Sequence, residues 1–251
     1  MHTKRLRIFA GPNGSGKSIL YKYLLSQHYF NKYFYINADD IAKGLSNGFS
    51  FSNWPVEISE ENFYRYLETS SFNTILNSAD LKKKLLIKDN VFTWNGKNEN
   101  LTYMSAFIAD YLRNQFLYSD SSFSCETVFS HPSKIDFIKL AKQHGFKIYL
   151  YFIATRNPVI NLDRVANRVQ SGGHGVPSEK ISSRYYRCLD NLYEAIKSCD
   201  KVFLFDNSEA KTDLSYNNFA EIVNGECRII SDSIPEWFIE YVYNRIGGLN
   251  N

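Results

Sequence analysis

Long apolar runs are missing from this 251-residue chain, and none approaches the roughly 18 residues needed to span a bilayer. The opening residues also lack the charged, apolar and small-residue layout of a secretory leader. Together these absences predict a soluble, cytoplasmic protein with no membrane partner. Cysteine is scarce and unpatterned: Cys125, Cys188, Cys199 and Cys227 show neither C-x-x-C nor any other ligand spacing, which argues for reduced, buried thiols. Strong charge of either sign is absent too, and a net charge of +3 is too mild to require nucleic acid as a partner. What the chain does hold is 44% hydrophobic and 16% aromatic residues, ample for a core in one large α/β domain or in a domain with an insertion.

The most informative stretch is GPNGSGKS, made of Gly11, Pro12, Asn13, Gly14, Ser15, Gly16, Lys17 and Ser18. It matches the phosphate-binding loop pattern G-x-x-x-x-G-K-[ST], which carries weight only between a strand and a helix. RLRIFA before it is rich in strand formers, and ILYKYLLSQHYF after it spaces Ile19, Tyr21, Leu24 and Leu25 as a helix does. The glycines let backbone N–H groups face one concavity at a helix N-terminus, where an anion is favoured. Lys17 adds a mobile positive charge and Ser18 a hydroxyl for Mg2+, so the stretch predicts a site for ATP or another nucleoside triphosphate.

KYFYINADD predicts a second strand ending in an acidic turn. The strand and helix alternation then stops, and residues 45–100 are expected to form a mostly helical insertion within a single domain covering 1–251. SEENFYRYLETSSFNTIL and SADLKKKLLIKDN both have the pattern of polar amphipathic helices, and NGKNEN that of a turn. TYMSAFIADYLRNQFL places Met104, Phe107, Ile108, Tyr111 and Leu112 on one helical stripe. Beyond it the alternation returns. SFSCETVF is a strand, and Pro132 opens a helix that Gly145 closes. FKIYLYFIA is a strand buried on both faces, Asn157 and Pro158 start a helix as cap and first residue, and KVFLFDNS is another buried strand. CRIIS and an aromatic helix after Pro235 complete the tail. The expectation is an α/β fold of three layers, a mainly parallel sheet flanked by helices, of the P-loop NTPase and kinase type.

Ligands of open parallel sheets bind beyond the carboxyl ends of the strands. Those ends are expected at Asp39 and Asp40, at Glu126 and Thr127, at Thr155 and Arg156, and at Asp206, on one rim with the P-loop. One of the two aspartates is expected to cap a helix and the other, Asp39, to take the proton of an attacking hydroxyl. Glu126 would hold a water on the magnesium ion or grip a second substrate hydroxyl. Arg164 and Arg168 share a helical face at i and i+4 and suit a triphosphate lying between them, the alternative being a solvated basic face. SGGHGVP has the composition of a mobile flap that carries His174. Asp206 imitates a magnesium-binding acidic strand, but its late position fits an edge or nucleotide-side strand better.

Taken in order, GPNGSGKS, INADD, SFSCETV, RVANRVQSGGHGVPSEKISSRYYRCLDNL and FLFDNS resemble the zeta toxin family of P-loop kinases and its chromosomal relatives, over residues 5 to 208 with 45–100 outside the match. The resemblance implies ATP and Mg2+ as cofactors and transfer of the γ-phosphoryl group to a hydroxyl of a UDP-activated amino sugar, with an antitoxin as protein partner. It makes Asp39 the base, Lys17 the phosphate-binding lysine, Asp39, Glu126 and Thr127 substrate contacts, and Arg164 or Arg168 the transition-state arginine. Two places differ. Toxin members have E-G-T where Glu126 is followed directly by Thr127, and an arginine before the lid proline where this chain has His174. The chemistry expected is that of a kinase for a small-molecule hydroxyl. A nucleoside or polynucleotide kinase, and a non-catalytic ATP-binding switch whose insertion docks a protein, remain the other readings.

Overall fold

The computed structural model describes residues 3–32, 34–96, 101–172, 175–209 and 217–246. The chain divides into two compact units, Met1–Tyr33 with Ser124–Asn251, and Phe34–Phe123. In chain order the elements are β1 (Arg5–Ala10), α1 (Lys17–Ser26), β2 (Phe34–Ile36), α2 (Ala38–Leu45), β3 (Phe49–Ser50) and α3 (Glu60–Thr69). There follow α4 (Ser78–Lys84), β4 (Leu85–Lys88), β5 (Val91–Trp94), α5 (Leu101–Leu117), β6 (Phe123–Thr127) and α6 (Ser133–Gln143). The last are β7 (Lys147–Ala154), α7 (Pro158–Gln170), α8 (Ser178–Ser198), β8 (Lys201–Asp206), β9 (Asn217–Val223), β10 (Glu226–Ile229) and α9 (Glu236–Tyr241).

The main sheet has seven strands, and the first unit orders its own as β10-β9-β8-β7-β1-β6. β1 and β8 both pair with β7 in parallel, while β9 returns antiparallel to β8 and β10 antiparallel to β9. The sheet is thus mostly parallel and flanked by helices, as the alternating pattern predicts. NNFAEIV was not anticipated as a strand, and with CRI it makes a hairpin around Asn224, whose φ of 52° and the following Gly225 supply the turn. That hairpin also excludes the edge position as one of the two readings for β8, which lies inside the sheet between β9 and β7.

β7 carries the core of this unit. Ile148, Leu150, Phe152, Ile153 and Ala154 are wholly buried, the signature of a strand covered on both faces. Register explains an aromatic ladder across three strands. Phe9 stands opposite Tyr151 and Tyr151 opposite Phe203, so their rings stack with centroids 4.8 and 4.7 Å apart. Cys188 and Cys199 are buried, and burial pushes the Cys188 thiol up to about 12. A thiol raised in this way is scarcely ionised at pH 8. Iodoacetamide at that pH should therefore leave Cys188 and Cys199 unmodified in the native protein and label them on unfolding, as peptide mass mapping would show.

In the second unit α2 packs on α5, whose predicted stripe Met104, Phe107, Ile108, Tyr111 and Leu112 is fully buried. Phe63 of α3 meets Phe107 and Tyr111 edge-on at 5.0 and 5.1 Å, and the Tyr66 hydroxyl donates to Asp110 at 2.8 Å. Burial and then the Asp110 carboxylate raise the Tyr66 pKa far above the usual phenol range. SADLKKKLLIKDN is helical only to Lys84. Its second half is strand β4, because Asp89 and Asn90 both take positive φ, 51° and 58°, and close a two-residue hairpin that pairs Leu85 with Trp94. With β3 these strands form a small antiparallel sheet in the order β3-β5-β4. Among the described residues no helix is long and apolar enough to cross a membrane.

Candidate functional site

The turn from β1 into α1 is shaped by steric demand. A Cβ on Gly11 would stand 2.1 Å from the Ile153 carbonyl oxygen, and one on Gly14, at φ 76°, 2.7 Å from the Asn161 carbonyl oxygen. α1 then starts at Lys17 with no side chain capping its first N–H groups, which leaves them for an anion. Lys17 is 6% exposed, and its Nζ donates to the Pro12 carbonyl at 2.8 Å and lies 4.0 Å from Glu126 Oε1. The Ser15 hydroxyl is buried without a hydrogen-bond partner. Ser18 Oγ donates to Glu126 Oε2 at 2.7 Å.

Glu126 therefore does sit at the loop, and the end of β6 is what brings it there. A serine hydroxyl and a carboxylate side by side are hard oxygen donors of the kind Mg2+ takes. Thr127, half-buried, turns its hydroxyl to the Val128 carbonyl at 3.4 Å.

α7 begins as its sequence predicts. Asn157 Oδ1 accepts from the Val159 and Ile160 N–H groups and Pro158 is the first helical residue, a cap that contributes about 1 kcal/mol. This start sets the phase that puts Arg164 and Arg168, both half-buried, on one face with buried Asn161 and Val165. Asn161 was missed by motif reasoning, although a polar residue three positions before Arg164 on the buried stripe was a readable signal. It is wholly buried, and its Nδ2 donates to the Asn13 carbonyl at 2.5 Å while its Oδ1 accepts from Thr155 Oγ1. Thr155, at the rim, is thereby structural: its hydroxyl bonds Asn157 and Asn161, and its carbonyl accepts from the Tyr185 hydroxyl. Arg156 is exposed, with its N–H bonded to Ser208.

Asp206 is not arranged as a metal ligand. One carboxylate oxygen accepts from Trp237 Nε1 and the other from the Ser208 N–H, both at 2.9 Å. The residue after it, Asn207, sends its side-chain amide to the Ser15 carbonyl at 2.8 Å, a second contact with the loop that sequence reasoning did not anticipate.

In the second unit the strand stops at Ile36, and α2 is capped by Asn37, whose Oδ1 accepts from the Asp39 N–H at 2.9 Å. The expectation that an aspartate caps this helix is corrected. Asp39 and Asp40 lie in the first turn instead, where a negative charge suits the helix dipole, and both are exposed. SGGHGVP separates α7 from α8 as expected, and His174 lies outside the described residues.

No protein-family model matches the chain. Among curated proteins it is 38% identical over 63 residues to an uncharacterized protein of Haemophilus influenzae (strain ATCC 51907 / DSM 11121 / KW20 / Rd), a match spanning 25% of this chain and 45% of the relative. Among solved structures the fold is similar to that of the AvrRxo1-ORF1:AvrRxo1-ORF2 complex with sulphate ions. There the TM-score is 0.57 at 16% identity, covering 99% of this chain and 66% of the other. The complex with ATP gives the same TM-score at 17% identity, covering 98% and 64%. The PezAT chromosomal toxin-antitoxin system of Streptococcus pneumoniae matches at TM-score 0.46 and 12% identity, over 86% of this chain and 71% of that one. The chain thus spans under two thirds of the first two structures, and the likeness is one of fold.

Proposed function

We propose that the protein is an ATP- and Mg2+-dependent kinase that phosphorylates a hydroxyl of a small molecule, a UDP-activated amino sugar on the zeta-toxin resemblance. The observation that carries the reading is the loop itself. An uncapped helix N-terminus, buried Lys17 and the Ser18–Glu126 pair make a phosphate cradle beside a hard-cation donor set. The buried Ser15 hydroxyl adds a donor inside the loop. Further support comes from the fold likeness to a complex whose structure includes ATP.

On this reading the loop N–H groups and Lys17 hold the triphosphate, and Ser18 with Glu126 would hold Mg2+, which when bound neutralises phosphate charge. Arg164 and Arg168 supply positive charge over the γ-phosphoryl oxygens, Thr127 and Glu126 contact the acceptor, and the resemblance gives the base to Asp39. The acceptor hydroxyl loses its proton to Asp39 as its oxygen bonds to the γ-phosphorus. The bond from that phosphorus to the β–γ bridging oxygen breaks, and ADP leaves. An antitoxin protein is the proposed macromolecular partner.

The test is mass detection of products after incubation with ATP, Mg2+ and a panel of UDP-sugars, nucleosides and oligonucleotide ends. A UDP-sugar heavier by one phosphate is expected, with Asp39→Asn slowing its formation roughly 10²- to 10⁴-fold. Phosphorylation of nucleic-acid ends alone would move the assignment to a polynucleotide kinase. ATP binding with no acceptor modified would leave a nucleotide-binding switch.

A further inference from the structure

Resting on the ATP reading, we infer that Asn161 and Asn207 are positioning residues that brace the phosphate-binding loop from outside and thereby aim its N–H groups inward. In a trans peptide the carbonyl of one residue and the N–H of the next point in opposite directions. Asn161 Nδ2 holds the Asn13 carbonyl at 2.5 Å, so the Gly14 N–H is turned away from α7. Asn207 Nδ2 holds the Ser15 carbonyl at 2.8 Å, so the Gly16 N–H is turned away from the end of β8. Two peptide groups of an eight-residue loop are thus oriented by amides from separate elements.

A backbone carbonyl only accepts, so each side chain must present its NH2 group to it, and the Asn161 oxygen is then left to accept from Thr155 Oγ1. Each amide is itself held. Asn161 is wholly buried and flanked by the Thr155 and Tyr185 hydroxyl bonds. Asn207 follows Asp206, which Trp237 and the Ser208 N–H fix by both carboxylate oxygens. The first brace also ties α7, and with it Arg164 and Arg168 at the third and seventh positions after Asn161, to the position of the loop. A loop preorganised in this way loses less freedom when a triphosphate enters.

Asn161→Asp and Asn207→Asp keep the shape and replace the donor by an oxygen that repels the carbonyl. The measurement is the ATP dissociation constant by calorimetry at 10 °C, together with circular dichroism and melting of the ATP-free proteins, with Lys17→Ala alongside. Each variant is expected to stay folded and to bind ATP roughly tenfold more weakly, an effect on the order of one lost hydrogen bond with its acceptor left unpaired. A role in folding alone would lower the melting temperature and leave the dissociation constant at the wild-type value, and that result would overturn the inference. Should Asn161→Asp not fold, Asn207→Asp decides in its place, and failure of both to fold also overturns it. A wild-type protein that does not bind ATP would remove the ATP reading together with this one, whereas wild-type affinity in the variants removes this one alone.

Discussion

Lys17→Ala is expected, on the proposed kinase reading, to lower turnover roughly 10³-fold, because the lysine is the one cation of the loop and would follow charge onto the transferred group. The side chain is almost fully buried, held by the Pro12 carbonyl and close to the Glu126 carboxylate. Truncation therefore acts twice. It removes the charge proposed to bind phosphate, and it leaves Glu126 with Ser18 but without the Lys17 ammonium, at a stability cost on the order of 1–3 kcal/mol. Product formation and ATP affinity, measured on a variant shown to be folded, separate the two effects. Retention of wild-type turnover would show that the loop does not hold the reacting triphosphate.

Gly11→Ala is expected to be severely damaging. The added carbon would stand 2.1 Å from the Ile153 carbonyl oxygen, a backbone atom of the central strand β7 that cannot swing aside. The loop must move instead, and the N–H groups that follow Gly11 move with it. Destabilisation by about 3–5 kcal/mol in urea unfolding, with no measurable ATP binding, is the expected outcome. Gly145→Ala is the control: its φ is 80°, but a Cβ there meets nothing within 4 Å, so it should lose only the backbone strain, about 1 kcal/mol. Equal effects at the two positions would mean that conformation and not the Ile153 contact governs Gly11.

Some expectations failed for reasons the structure makes plain. KKKLLIKDN has helix-compatible spacing, yet the Asp89–Asn90 turn and the pairing of Leu85 with Trp94 decide for a strand, since cross-strand partners outweigh local propensity. Asp39 has the chemistry of a cap, but Asn37 stands two residues earlier at the true start of α2 and takes that place. Asp206 is a different case: its late position already argues against a metal ligand, and Trp237 Nε1 and the Ser208 N–H engage both its carboxylate oxygens.

What the sequence alone determined is what a few neighbouring residues can settle. The loop between β1 and α1, the start of α7 at Asn157 and Pro158, the stripe along α5 and the alternation that makes a mostly parallel sheet all follow from local backbone preference, capping and periodicity. Tertiary structure decided which side chains meet. Ser18 and Glu126 are 108 positions apart, Asn161 and Asn13 are 148 apart, and Asn207 and Ser15 are 192 apart. No local pattern encodes such pairs. They exist because the sheet order sets β7 and β6 on either side of β1, and β8 beyond β7, so that residues at these strand ends and at the start of α7 close around one loop.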